Sequence, residues 1–220
     1  MRKHSASSRS LLYMSPVTHF FAGWLLAGAT PLNRREKAAV SFAAVAPDID
    51  GLGAVPELLT RHSRHPLPWF SQYHHSLHTL AFASLLTLAV FLLLRFPGKT
   101  FAAPSPGGHR YPGHPWTAGL LVFLSFHLHL FCDLIGSRGP DGYSWPIPYL
   151  KPFSNAVQLS WHGQWALNGW QNVVITCVLL LAILWTTWRT GSSPLELASA
   201  RASHEVVTAI RRRFPARTSA

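Results

Sequence analysis

The sequence predicts an all-α integral membrane protein, a helical bundle of about five helices. Charged residues make up 12% of the chain and hydrophobic residues 48%, and this charged fraction is about half that of a soluble globular domain. Three apolar stretches, residues 79–96, 116–136 and 172–188, are each about as long as a helix that crosses a bilayer. We interpret them as three clear membrane spans, accompanied by a shorter pair of helices near the N-terminus.

The two helices of the N-terminal pair are short. The first is predicted from about residue 16 to residue 29 and begins at Pro16, which suits a first helical turn. The second is predicted from about residue 36 to residue 46, because Pro47 disfavours helix in the residue before it. Both are short for a full crossing, so we expect tilted helices or a hairpin that packs against the longer ones.

Polar segments separate the spans and follow the last one. Residues 97–115 form a loop rich in Pro and Gly, and residues 137–169 form a long loop with several Trp residues. The segment 195–214 has the pattern of an amphipathic surface helix. We therefore divide the chain into a basic N-terminal extension (1–13), a membrane-embedded domain with the functional site (14–190) and a basic cytoplasmic tail (191–220).

The net charge of +11 arises largely in the flanks of the chain. Beside membrane spans, basic clusters set orientation or contact anionic lipid, so we expect membrane lipid as a partner and no nucleic acid. If five helices alternate sides, twelve of the nineteen Lys and Arg residues share the side of the tail; the other seven are Arg2, Lys3, Arg9, Arg61, Arg64, Arg138 and Lys151. This asymmetry predicts a multi-pass protein of the bacterial inner membrane with a cytoplasmic C-terminus.

Carboxylates are scarce in this chain, and the aspartates lie beside histidines. There are nineteen Lys and Arg residues against eight Asp and Glu residues, and all four aspartates lie in or next to apolar segments that carry histidine. In the predicted topology these segments share the extracytoplasmic face, and ionisable residues in such positions are functional candidates. The candidate metal ligands are His19, Asp48, Asp50, His74, His75, His78, His129 and Asp133, and Asp141 lies nearby.

The spacing of these residues allows several of them to share a ligand. His129 and Asp133 lie one helical turn apart, so both can bind one cation, or the carboxylate can orient the imidazole. After Pro47 we expect extended chain, in which Asp48 and Asp50 point the same way and present two carboxylates to one position.

The third histidine motif leaves two pairings open. His74 and His78 are four residues apart, and His75 and His78 are three residues apart, so either pair can share one face of a helix.

Imidazole and carboxylate together favour Zn, with Mn or Fe as alternatives, and the ligands suffice for one or two divalent ions. Metal-activated water would then attack an ester or phosphoester of a small-molecule or lipid-linked substrate, with Asp50 or Asp141 as general base. The alternatives are a metal-binding membrane protein that transports ions or forms a scaffold without catalysis, and a structural role in which His and Asp residues hold the helices together.

The order of the motifs THFFAG, APDIDG, HHSLHT, HLHLFCDLIGSRGPDG and PFS resembles the YdjM-like family, whose members are regarded as membrane-bound metal-dependent hydrolases. The resemblance extends from about residue 14 to residue 172. It implies that the family's early His is His19, its Pro-Asp-x-Asp carboxylates are Asp48 and Asp50, and its His-x-x-x-Asp pair is His129 and Asp133. His75 stands where the family commonly has Arg, so either His74 or His75 is the equivalent of the family's first histidine in this motif.

Overall fold

The computed structural model describes residues 16–67, 76–96, 113–139 and 142–215. Within these ranges the chain forms α-helices and two 3₁₀ helices, Ala46–Gly53 and Pro194–Leu197, and no β-strand. The all-α prediction is confirmed, with seven α-helices in the described ranges instead of about five. They are α1 Pro16–Gly28, α2 Arg34–Ala43, α3 Ala54–Thr60, α4 Leu80–Arg95, α5 Pro115–Gly136, α6 Trp170–Thr190 and α7 Ala200–Arg213.

Two helices, α5 with 22 residues and α6 with 21, are long and apolar enough to cross a membrane. Helix α4 is apolar but has only 16 residues, fewer than the roughly 20 that a perpendicular crossing requires. It starts at Leu80 because the hydroxyl of Thr79 accepts a hydrogen bond from the backbone of Phe82 at 3.1 Å and caps the helix. Helix α2 and the helical segment 46–60 meet at an angle of 52°. If together they form one broken span, they provide a third crossing.

One buried carboxylate holds the starts of α2 and α5 together. Glu36 accepts a hydrogen bond from the backbone of Asn33 at 2.9 Å, and the Asn33 side chain caps α2 in return. The other oxygen of Glu36 accepts from the backbone of His114 at 2.6 Å, at the start of α5. Since Glu36 is almost fully buried, this contact fixes the relative position of the two helices.

The tail packs at the same end of the bundle. Arg34 donates a hydrogen bond to the carbonyl of Leu197 at 3.0 Å, and Lys37 pairs with Glu196 at 3.3 Å. Beyond this end, the interior between α1, α2 and α5 is apolar; its buried members are Ala27, Leu32, Val40, Ala43, Ala118, Leu121 and Val122.

A glycine allows α1 to lie directly against α2 and α5. A Cβ atom on Gly23 would lie 2.7 Å from the Cβ of Ala44 and 3.1 Å from the hydroxyl of Ser125. Ser125 itself donates a hydrogen bond to the carbonyl of Val40 at 2.8 Å, which joins α5 to α2. At this level only the small side chains of Ala44 and Ser125 lie between the three helices.

We predict that Gly23→Ala destabilises the protein by about 1–3 kcal/mol, because the added methyl group overpacks this contact. Gly28→Ala is the matched control, since a Cβ there meets no atom within 4 Å. Thermal unfolding of both variants in detergent checks the prediction. Equal melting temperatures for the two variants would contradict the close packing at Gly23.

Candidate metal centre

Four separate parts of the chain bring histidine and aspartate side chains to one place. His19 comes from α1, Asp48 from the 3₁₀ helix that follows α2, His78 from the residues just before α4, and His129 and Asp133 from α5. The three histidines are almost fully buried. Burial of so many polar groups together requires that they neutralise one another or hold an ion.

Asp48, His78, His129 and Asp133 form a group that could hold a metal ion, because one ligand atom from each lies within 4.8 Å of all the others. The Nε2 atom of His129 lies 3.0 Å from Oδ2 of Asp133, 3.2 Å from Nε2 of His78 and 3.8 Å from Oδ1 of Asp48. Ligands around a tetrahedral zinc ion are separated by about 3.3 Å, given metal–ligand bonds of about 2.0–2.1 Å. The observed spacings therefore fit such an ion.

The outer nitrogen of each of these two histidine rings faces an acceptor. Nδ1 of His129 lies 2.8 Å from the carbonyl oxygen of Ala44, and Nδ1 of His78 lies 3.4 Å from Oδ2 of Asp50. Each acceptor favours the proton on Nδ1, which leaves the lone pair of Nε2 directed into the group. Two lone pairs and a carboxylate then meet at one position, and they repel one another unless a proton or a metal cation lies between them.

The surroundings of His78 favour positive charge. Burial lowers the pKa of the His78 imidazole, but hydrogen bonding and electrostatic attraction to Asp133 and Asp50 together outweigh burial and raise the pKa to about 9. A divalent ion bound to Nε2 would balance the negative charge of Asp133 and Asp50 in place of a proton on that atom.

Asp50 and His19 lie beside the four-residue group. Oδ2 of Asp50 accepts a hydrogen bond from the backbone of Leu77 at 3.2 Å and lies behind the ring of His78. Nε2 of His19 lies 3.4 Å from Oδ1 of Asp133, and its ring packs on that of His129 with centroids 4.0 Å apart. These positions allow both residues to orient the side chains of the group.

The expectation of extended chain after Pro47 is wrong. Residues 46–53 form a 3₁₀ helix, which has three residues per turn, so residues two apart point in different directions. Asp48 therefore points toward His129, whereas Asp50 points toward the outer side of His78.

Three further residues of the sequence prediction, His74, His75 and Asp141, lie outside the described residues. His127, two positions before His129, lies on another face of α5, where Nε2 is 2.9 Å from the hydroxyl of Tyr149. The sequence reasoning missed Gln164, a buried side chain that donates to the backbone carbonyl of Asp133 at 2.9 Å. In the sequence, Gln164 is distinguished only as a polar residue within the Trp-rich loop.

The sequence model of a family described as the YdjM inner membrane protein matches residues 14–206. The chain belongs to this family. The match agrees with the order of motifs in the sequence, and together with the apolar helices it identifies a membrane protein. No curated protein and no solved structure shows a significant match to the chain.

Asp48 is the most exposed member of the group in this YdjM-family chain. The side chain of Asp48 is 21% exposed, compared with 12% for Asp133 and at most 1% for the histidines. Within the described part of the chain, Oδ2 of Asp48 and Nδ1 of His19 are buried without a hydrogen-bond partner. The site therefore has polar atoms without a partner, and Asp48 is its member nearest to the surface.

We predict that His129→Ala removes the metal, because it deletes a nitrogen ligand and leaves two carboxylates beside each other. The expected loss of affinity exceeds the roughly 10–100-fold typical of losing an outer partner. His127→Ala is the control, since it deletes a histidine from the same helix that lies outside the group. Elemental analysis of the purified proteins decides between them, and equal metal content would remove His129 from the site.

We predict that Asp50→Asn weakens metal binding by about 10–100-fold without abolishing it, because the amide holds the ring of His78 less firmly than the carboxylate does. Competition with a metal chelator measures the affinity. An unchanged affinity would show that the contact between Asp50 and His78 does not orient the ligand.

Proposed function

We propose that this protein is a membrane-embedded, metal-dependent hydrolase in which metal-activated water attacks an ester or phosphoester. The observation that carries the proposal is the convergence of two imidazole nitrogens and two carboxylates, with both rings held from behind. The mixed N/O donors favour Zn, with Mn or Fe as alternatives. Zinc in such a site lowers the pKa of bound water toward neutrality and polarises the bond to be cleaved.

The residues of the site then have separate tasks. His78, His129, Asp133 and Oδ1 of Asp48 would hold the metal, and the unpartnered Oδ2 of Asp48 could accept a proton from the attacking water. We assign Asp50 a positioning role, because its carboxylate lies behind His78. Asp141 remains a second candidate for the general base.

A lipid or lipid-linked substrate is supported by the surface beside Asp48, the most exposed residue of the site. The segment that follows Asp48 exposes several large apolar side chains, among them Leu52 at 66% and Leu59 at 77%. Concentrated exposed apolar surface indicates contact with a membrane or an apolar ligand. We propose that the chains of the substrate contact this segment while its ester or phosphoester reaches the metal.

The orientation in the membrane is part of the proposal. Asp133 lies nineteen residues along the chain from His114, a helical rise of about 28 Å, so the site and the tail belong to opposite ends of α5. The positive-inside rule then favours a cytoplasmic tail and a site at the extracytoplasmic face.

The alternative is a metal-binding membrane protein without catalysis, for ion transport or as a scaffold. A transporter requires polar groups along a path through the protein. The buried cluster between the site and the tail end is apolar, which favours a site reached from one face and hence the hydrolase.

We predict metal-dependent hydrolysis of p-nitrophenyl esters or of bis(p-nitrophenyl) phosphate by the zinc-loaded protein in detergent. Asp133→Asn should lower turnover by at least about 100-fold, because it replaces an anionic ligand oxygen with a neutral amide, and His127→Gln should leave it near the wild-type level. Chelation should abolish turnover and added metal should restore it. Metal bound at full stoichiometry without turnover on either probe class would favour the non-catalytic alternative.

A further inference from the structure

A cavity lies at the opposite end of the molecule from the candidate metal centre, between the end of α6 and the end of α7. Its volume is about 620 Å³, and it is lined by Trp185, Trp188, Arg189 and Arg211. Two indole rings and two guanidinium groups around one opening make a site that is both apolar and strongly positive.

The cavity is built by specific contacts between the two helices. Arg211 donates a hydrogen bond to the carbonyl of Trp188 at 3.0 Å, and the indole of Trp188 donates to the carbonyl of Phe214 at 2.6 Å. Helix α6 ends at Gly191, whose φ of 75° favours glycine, and a Cβ there would lie 3.0 Å from Arg211. These contacts hold the last turn of α7 against the end of a membrane-length helix.

The cavity carries more positive charge than is needed to satisfy the terminal carbonyls of α6. Arg211 satisfies terminal carbonyls of α6, whereas the guanidinium of Arg189 lies over the ring of Trp185 at 5.4 Å. Helix α7 contains four arginines and one glutamate. In the part of the chain that the structure describes, no salt bridge neutralises Arg189 or the arginines at the end of α7.

We propose that this cavity binds the headgroup of an anionic phospholipid from the surrounding bilayer. The phosphate accepts hydrogen bonds from Arg189 and Arg211, and the indole rings contact the glycerol and the first acyl carbons. Tryptophan at the end of a membrane helix lies at headgroup level, and nearby arginines attract anionic lipid. The rings make most of the lining apolar, which favours a lipid over free phosphate. The inference is independent of the proposed hydrolase activity.

The test measures the melting temperature of the full-length protein in neutral detergent with added phosphatidylglycerol or phosphatidylcholine. At a lipid concentration about 100 times Kd, we expect phosphatidylglycerol to raise the melting temperature by about 5–10 °C and phosphatidylcholine to leave it unchanged. Arg189→Gln and Trp185→Leu should each reduce this rise by at least half. Both side chains are exposed, so neither substitution leaves a buried hole.

Arg201→Gln is the matched control, because it removes one charge from the first turn of α7, away from the cavity. It should retain the full rise. An equal reduction in Arg201→Gln and Arg189→Gln would overturn the proposal in favour of diffuse attraction. The proposal also fails if wild type shows no rise, or if inorganic phosphate gives the same rise as phosphatidylglycerol.

Discussion

The hydrogen bond between Nδ1 of His129 and the carbonyl of Ala44 is the interaction on which the candidate metal centre depends. It directs the other nitrogen of the ring toward a carboxylate and a second imidazole, all buried in the interior of a membrane protein. Electron pairs brought together in this way require a proton or a metal cation between them. The rest of the site can be understood as a means of holding these donors in place, with Asp50 behind His78 and Gln164 on the backbone of Asp133.

The packing of the helices fixes the position of Ala44 and so supports its hydrogen bond with His129. Ala44 also lies where α1 approaches most closely, at Gly23, so the helix contact that carries His19 to the site also fixes the carbonyl that orients His129. At the other end, Glu36 joins the starts of α2 and α5, and the tail packs beside them. The protein thus has a basic end with a docked tail and an end that carries the metal centre, separated by an apolar interior.

Much of this arrangement could be predicted from the sequence. The apolar stretches indicated membrane-length helices, and alternation of helix sides indicated that residues such as His19, Asp48 and Asp133 share one face. The direction of Asp50 could not be predicted, because the 3₁₀ helix and the contact with Leu77, 27 residues away, depend on tertiary structure. The roles of Ala44 and Gln164 were also hidden, since a backbone carbonyl has no sequence signal and a single loop amide has very little.

X-ray absorption spectroscopy of the zinc-loaded protein tests the central claim most directly, because it reports the atoms bound to the metal. The account predicts nitrogen and oxygen ligands only, with about two histidine rings recognisable by their scattering and bonds of about 2.0–2.1 Å. A sulfur ligand at about 2.3 Å, or a shell of solvent oxygens without histidine, would contradict it.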